Sequence, residues 1–88
     1  MEDYEVSEVA KILSEWNPLG DEVVYVQDLD GYKTESIDIL FHIKMSNGKS
    51  GVEKTVMEVL NEAFDIELTR NECSEVATRI FRFLSNKH

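Results

Sequence analysis

Apolar residues recur at three- and four-residue spacing from Tyr4 to Trp16: Val6, Val9, Ala10, Leu13 and Trp16. That spacing lays one stripe along a helix. Glu8, Lys11 and Glu15 fall on the opposite face, where helical neighbours of unlike charge give slight support. Acids in the first turn suit the positive end of the helix dipole. Pro18 ends the helix, because the residue before a proline is pushed out of the helical region.

Two later segments carry the same period. Ser50-Gly51-Val52-Glu53 has the form of a capping box, a hydroxyl at the cap and a carboxylate three residues on. It predicts a helix with Val52, Val56, Val59, Leu60, Ala63 and Phe64 on one broad face. Thr69-Arg70-Asn71-Glu72 is a second box. The helix it opens buries Cys73, Val76, Ala77, Ile80 and Leu84, flanked by Phe81 and Phe83. Glu75, Arg79 and Arg82 line its outer face, with the bases toward the C-terminal end as the dipole prefers.

Residues 34–46 fit two patterns. Ile37, Ile39, Phe41, Ile43 and Met45 alternate with Asp38, Leu40, His42 and Lys44, which apart from Leu40 is a strand pattern, and Asn47-Gly48 signals a hairpin turn. As a helix, the same residues place Asp38, His42 and Ser46 on a narrow polar strip, with apolar positions around it. That describes a central helix buried on several sides. A strand needs a partner, and only Val23–Gln27 offers one; two strands alone are marginal. Residues 19–33 read as an extended or irregular connection. It contains the β-prone run Val23–Val26 and the turn signal Asp28-Leu29-Asp30-Gly31.

The 88 residues, without repeats or linker-like tracts, suit a single domain over 1–88. Hydrophobic residues at 42% suffice for a core and exceed what a disordered chain carries. Cys73 is the one cysteine, so no internal disulfide forms. Small secreted domains usually carry such staples, which favours a reducing compartment here, the cytoplasm. The acidic start lacks the basic and apolar regions of a signal peptide.

Charge adds an asymmetry. The net charge is −9, and residues 1–30 hold nine acids against one base, Lys11. Residues 31–88 hold nine acids and eight bases. Such a field repels nucleic-acid phosphates and anionic membranes and suits a basic protein partner. Glu8, Glu15, Asp21, Glu22, Asp28 and Asp30 supply the candidate face. Trp16, a residue type favoured as an interface anchor, lies among them. Its plainer role is a packed corner before Asn17-Pro18.

Candidate chemistry is sparse. With Gly31 as the sixth residue of a calcium loop, Val26 and Ile37 occupy the places that need acids, so the loop fails. Asp38 and His42 share a helical face and form a candidate polar site, but two ligands do not complete a structural metal centre. Their plainer role is an ion pair on a polar strip. Cys73 lies on the apolar stripe and reads as core, although a helix start can activate a thiol. No cofactor or metal is expected.

Trp16-Asn17-Pro18-Leu19 after an amphipathic helix, Tyr32-x-x-Glu35-x-x-Asp38, Phe64-Asp65 before Leu68, and Cys73 in a last helix ending near Lys87 form an ordered set. Together they resemble the YugE-like family, short bacterial proteins of unknown function. The similarity spans most of the chain. It implies a helical fold, hence a helix over 34–46. Asn17 stands where the resemblance implies an aspartate, and the acidic stretch before Tyr32 is longer.

The expectation is therefore an all-α domain, about four short helices in a compact irregular bundle. The expected role is a non-enzymatic protein–protein interaction protein that uses its acidic first third. One form is an inhibitor that masks a basic toxin, by analogy of charge and size. The first alternative is a small enzyme or ligand-binding protein using Asp38 and His42, with Tyr32 or Glu35 nearby. The second is a homodimer sealed by Val23–Val26.

Overall fold

The computed structural model describes residues 3–20 and 30–86. The fold is all-α, with helices α1 (Asp3–Trp16), α2 (Lys33–His42), α3 (Gly48–Phe64) and α4 (Arg70–Asn86). Short 3-10 turns at Asp30–Tyr32 and Met45–Asn47 lead into α2 and α3. The pairs α1–α2, α2–α3, α3–α4 and α1–α4 pack together. Each helix thus borders two others, and the ring closes where α1 meets α4.

The core lies inside this ring. Val9, Ile12 and Leu13 of α1, Ile39 of α2, Val52, Val56 and Leu60 of α3, and Cys73, Val76, Ala77, Ile80 and Leu84 of α4 are buried together. The stripe of α4 is the one its spacing predicts, and Glu75, Arg79 and Arg82 face outward as expected. In α1 the buried positions are Val6, Val9, Ile12 and Leu13; Ala10 and Trp16 sit at the margin. In α3, Val59 and Phe64 are half-buried and Ala63 is exposed.

α1 stops where Pro18 requires it to stop. Asn17, just past the last helical turn, takes a left-handed φ of 49°, a conformation asparagine tolerates better than most residues. Its N–H still donates to the Leu13 carbonyl at 2.8 Å.

The Thr69 capping box forms as expected. The Glu72 N–H donates to Thr69 Oγ1 at 3.1 Å, and the Thr69 N–H donates to Glu72 Oε1 at 3.0 Å. The Ser50 box does not form. α3 begins two residues earlier at Gly48, whose φ of 66° glycine supplies at no steric cost. Ser50 therefore lies inside the helix, where its carbonyl and hydroxyl both accept from Arg70 of α4. Arg70 also lies 3.7 Å from Glu53, which Lys49 approaches from one helical turn away at 3.6 Å.

The stretch 34–46 needs two corrections. The helix ends at His42, with Ile43 already extended, and residues 45–47 form a separate 3-10 turn. Nor is the helix buried on several sides. Its core face consists of Glu35, Ser36 and Ile39, while Phe41 is 76% exposed and Ile37 38% exposed. Three- and four-residue spacing fixes that face, and a ten-residue helix touching α1 and α3 leaves the opposite side open. The irregular connection expected over 19–33 is also shorter. Asp30–Tyr32 are 3-10 and Lys33 belongs to α2; Val23–Val26 and the first part of the Asp28–Gly31 turn lie outside the described residues.

Gly31 and Tyr32 enter α2 with successive left-handed φ values of 62° and 65°. Glycine accepts this; a tyrosine there is strained unless its surroundings fix it. They do. The Tyr32 ring is buried and meets Phe64 edge-on at 6.0 Å, and its carbonyl accepts from Ser36 Oγ at 2.8 Å. Its hydroxyl donates to Asn17 Oδ1 at 2.9 Å and accepts the Leu19 N–H at 3.5 Å.

Candidate functional site

Two concave surfaces gather the candidate residues. The first lies where the end of α1 meets α4 and is lined by Glu15, Trp16, Glu72, Glu75, Val76 and Arg79. Trp16 is half-buried against the core, so its ring forms part of the floor. Three carboxylates and a single guanidinium stand around it. Arg79 is not free: it donates to Glu15 Oε1 as an ion pair. That hydrogen bond holds the Glu15 carboxyl below its usual range; desolvation opposes it, and the charges of Arg79 and Lys11 add to it. Glu15 is therefore partly neutralised within the chain; Glu72, though exposed, has Oε1 engaged by the Thr69 N–H and hydroxyl, and Glu75 is an exposed acid on the rim.

The other expected partner residues distribute differently. Glu8 is half-buried on α1 and does not join this surface. Asp21, Glu22 and Asp28 lie outside the described residues, and Asp30 begins the 3-10 turn before α2. The described portion of the acidic face is thus Glu15 and Trp16, completed by two α4 residues that the first third of the chain does not contain.

The second surface is an open groove between α2 and α3. Asp38, His42, Thr55, Glu58, Val59, Glu62 and Ala63 line it. One turn apart on α2, Asp38 and His42 share a face as the helical spacing requires. The expected ion pair between them is absent among the described residues; both are exposed, and His42 instead meets the Phe41 ring edge-on at 5.3 Å. Thr55, the one hydroxyl in the lining, donates to the Gly51 carbonyl at 3.0 Å. It is committed to its own helix and is not aimed at His42. Among the described residues no group of three or more histidines, cysteines or acids is arranged to hold a metal ion.

Glu35 does not reach this groove. It is buried at the start of α2, and its Oε1 finds no hydrogen-bond partner. Burial pushes its pKa up, its own backbone N–H opposes this, and the nearby Asp38 charge adds to the rise. Tyr32 is fully engaged in joining α1 to α2. Neither residue is positioned as an auxiliary to Asp38 and His42.

Cys73 is buried in the core, as its place on the stripe predicts. Burial, with the charges of Glu72 and Glu53, pushes its thiol up to about 11, so the helix start does not activate it.

Sequence reasoning assigned Glu58, Glu62, Glu72 and Phe41 to no surface site, and it placed Glu75 on the outer face of the last helix without joining it to Trp16. Glu58 and Glu62 stand four apart and share a helical face, a spacing visible in the chain. Their convergence with Asp38 depends on the pairing of α2 with α3, which spacing does not encode. No helix among the described residues is long and apolar enough to cross a membrane. Compared with family models, curated proteins and solved structures, the chain matches none.

Proposed function

We propose that this chain is a non-enzymatic binding protein that recognises a basic protein surface through carboxylate-walled depressions. One observation carries the reading: Trp16 lies half-buried between Glu15, Glu72 and Glu75, with only Arg79 opposing them. An aromatic face ringed by carboxylates suits an arginine or lysine side chain. The ring attracts the cation, and the carboxylates accept its hydrogen bonds. The net charge of −9 speeds the approach of a basic partner and disfavours anionic ones. Resemblance to the YugE-like family is part of the same proposal and adds no activity to it.

Trp16 is the only tryptophan, so its fluorescence reports on this depression directly. The test is titration with an arginine-rich peptide at low and at high salt. A saturable emission change that high salt reverses, and that Glu75→Lys removes, supports the reading. An unresponsive Trp16, or an equal response in the charge-reversed variant, overturns it.

A further inference from the structure

Among the described residues, no element packs on the outward side of α2. Ile37 and Phe41 are one helical turn apart, and with Tyr4 they are the exposed large apolar side chains among the described residues. Tyr4 leans on Phe83 at a ring separation of 5.4 Å; Phe41 touches only the neighbouring His42 ring among the described aromatic contacts. Phe41, 76% exposed, gains little from folding, and with the partly exposed Ile37 (38%) beside it on the same face it forms a small apolar patch open to a contact.

The groove beside this pair determines what fits it. At 100° per residue, Asp38 follows Ile37 and Phe41 around the helix toward α3. Beyond it stand Glu58 and Glu62, with half-buried Val59 and exposed Ala63 also in the lining. Among the described residues the lining includes no lysine or arginine. Apolar ridge and acidic channel run side by side, the complement of an amphipathic helix with one apolar edge and one row of bases. A second copy of this chain fits poorly: it offers the same acidic groove, and its own net charge of −9 opposes the approach.

We infer that the α2–α3 surface is a docking groove for a basic amphipathic helix of a partner protein. Ile37 and Phe41 take its apolar edge, and Asp38, Glu58 and Glu62 take its lysines or arginines. This rests on the reading of the chain as a receptor for basic protein surfaces, and it adds a second contact distinct from the Trp16 depression. His42 beside Phe41 would face the bound helix.

The experiment uses the full ¹⁵N-labelled chain, a lysine/leucine peptide patterned as an amphipathic helix, and a scrambled peptide of the same composition. The patterned peptide should bind at least tenfold more tightly than the scrambled one. Its amide shift changes should centre on residues 37–42 and 58–63. Ile37→Ser/Phe41→Ser should lose at least tenfold in affinity, as should Glu58→Lys/Glu62→Lys. All four positions are solvent-facing, and unchanged circular dichroism confirms that each variant folds. Equal binding of both peptides, or shifts confined to α1 and α4, overturns the groove. Glu75→Lys separates the two claims: it should abolish the Trp16 response while leaving the patterned peptide bound on α2 and α3. Loss of a Trp16 response in the unmodified chain, with the groove still occupied, would refute the depression alone.

Discussion

The hydroxyl of Tyr32 donates to Oδ1 of Asn17 at 2.9 Å, joining the residue that ends α1 to the residue that opens α2. Both hold left-handed backbones. Tyr32→Phe removes this bond and should cost about 1 kcal/mol in urea unfolding. Asn17→Ala also loses the Nδ2 bond to the Gly20 carbonyl and places alanine at a φ of 49°, so it should cost about 2 kcal/mol. Asn17→Asp keeps an acceptor for Tyr32 and should cost less than alanine.

Glu35 should make stability depend on pH in an unusual direction. Its folded pKa lies above its ordinary value because it is buried with an unpartnered oxygen. The folded state therefore holds this proton more tightly than the unfolded state. Its support for folding is complete below the ordinary glutamate pKa and is lost as pH rises through the folded one. Glu35→Gln should melt higher than the unmodified chain near pH 7, and the gap should narrow toward about pH 4. A constant gap across that range would contradict the assignment.

Cys73 should be silent toward thiol reagents in the native state. It is fully buried, and its thiol is pushed up to about 11. Labelling by a disulfide reagent near pH 8 should be slow and should accelerate with urea in step with unfolding. Rapid native labelling would place the thiol at a surface.

Core and surface apolar residues should separate sharply. Leu60 is completely buried on α3, so Leu60→Ala should cost about 2–5 kcal/mol. For a domain of this size that is a large share of total stability. Phe41→Ala, at a side chain 76% exposed, should change stability by less than about 0.5 kcal/mol. Calorimetry of the two variants makes the comparison.

The helices α1, α3 and α4 were legible because each repeats apolar residues over three turns or more. The short helix α2 was not, since its core face contains Glu35 and Ser36 while Ile37 and Phe41 point outward. Hydropathy there runs against burial, and alternation imitates a strand. Capping was legible only in part. Thr69 and Ser50 begin the same four-residue pattern, but Gly48 starts α3 early and leaves Ser50 to receive Arg70. Of the candidate sites, Trp16 and the Asp38–His42 face could be found along the chain. Their acidic surroundings come from other helices and required the fold.

The loop between α3 and α4 is closed by one side chain. Asn61 accepts the Leu68 N–H at 2.7 Å and donates to the Leu68 carbonyl at 3.1 Å, while α3 ends on Asp65 at a φ of 53°. Only five residues separate the two helices, and the Thr69 cap lies at their far end. Closing so short a segment loses little chain entropy, so this half can form before α1 finds its place. Substitutions at Asn61 or Thr69 should then slow refolding, whereas those at Asn17 or Tyr32 should mainly hasten unfolding. On that expectation the α3–α4 pair would serve as a kinetic template, with the junction between α1 and α2 assembled last.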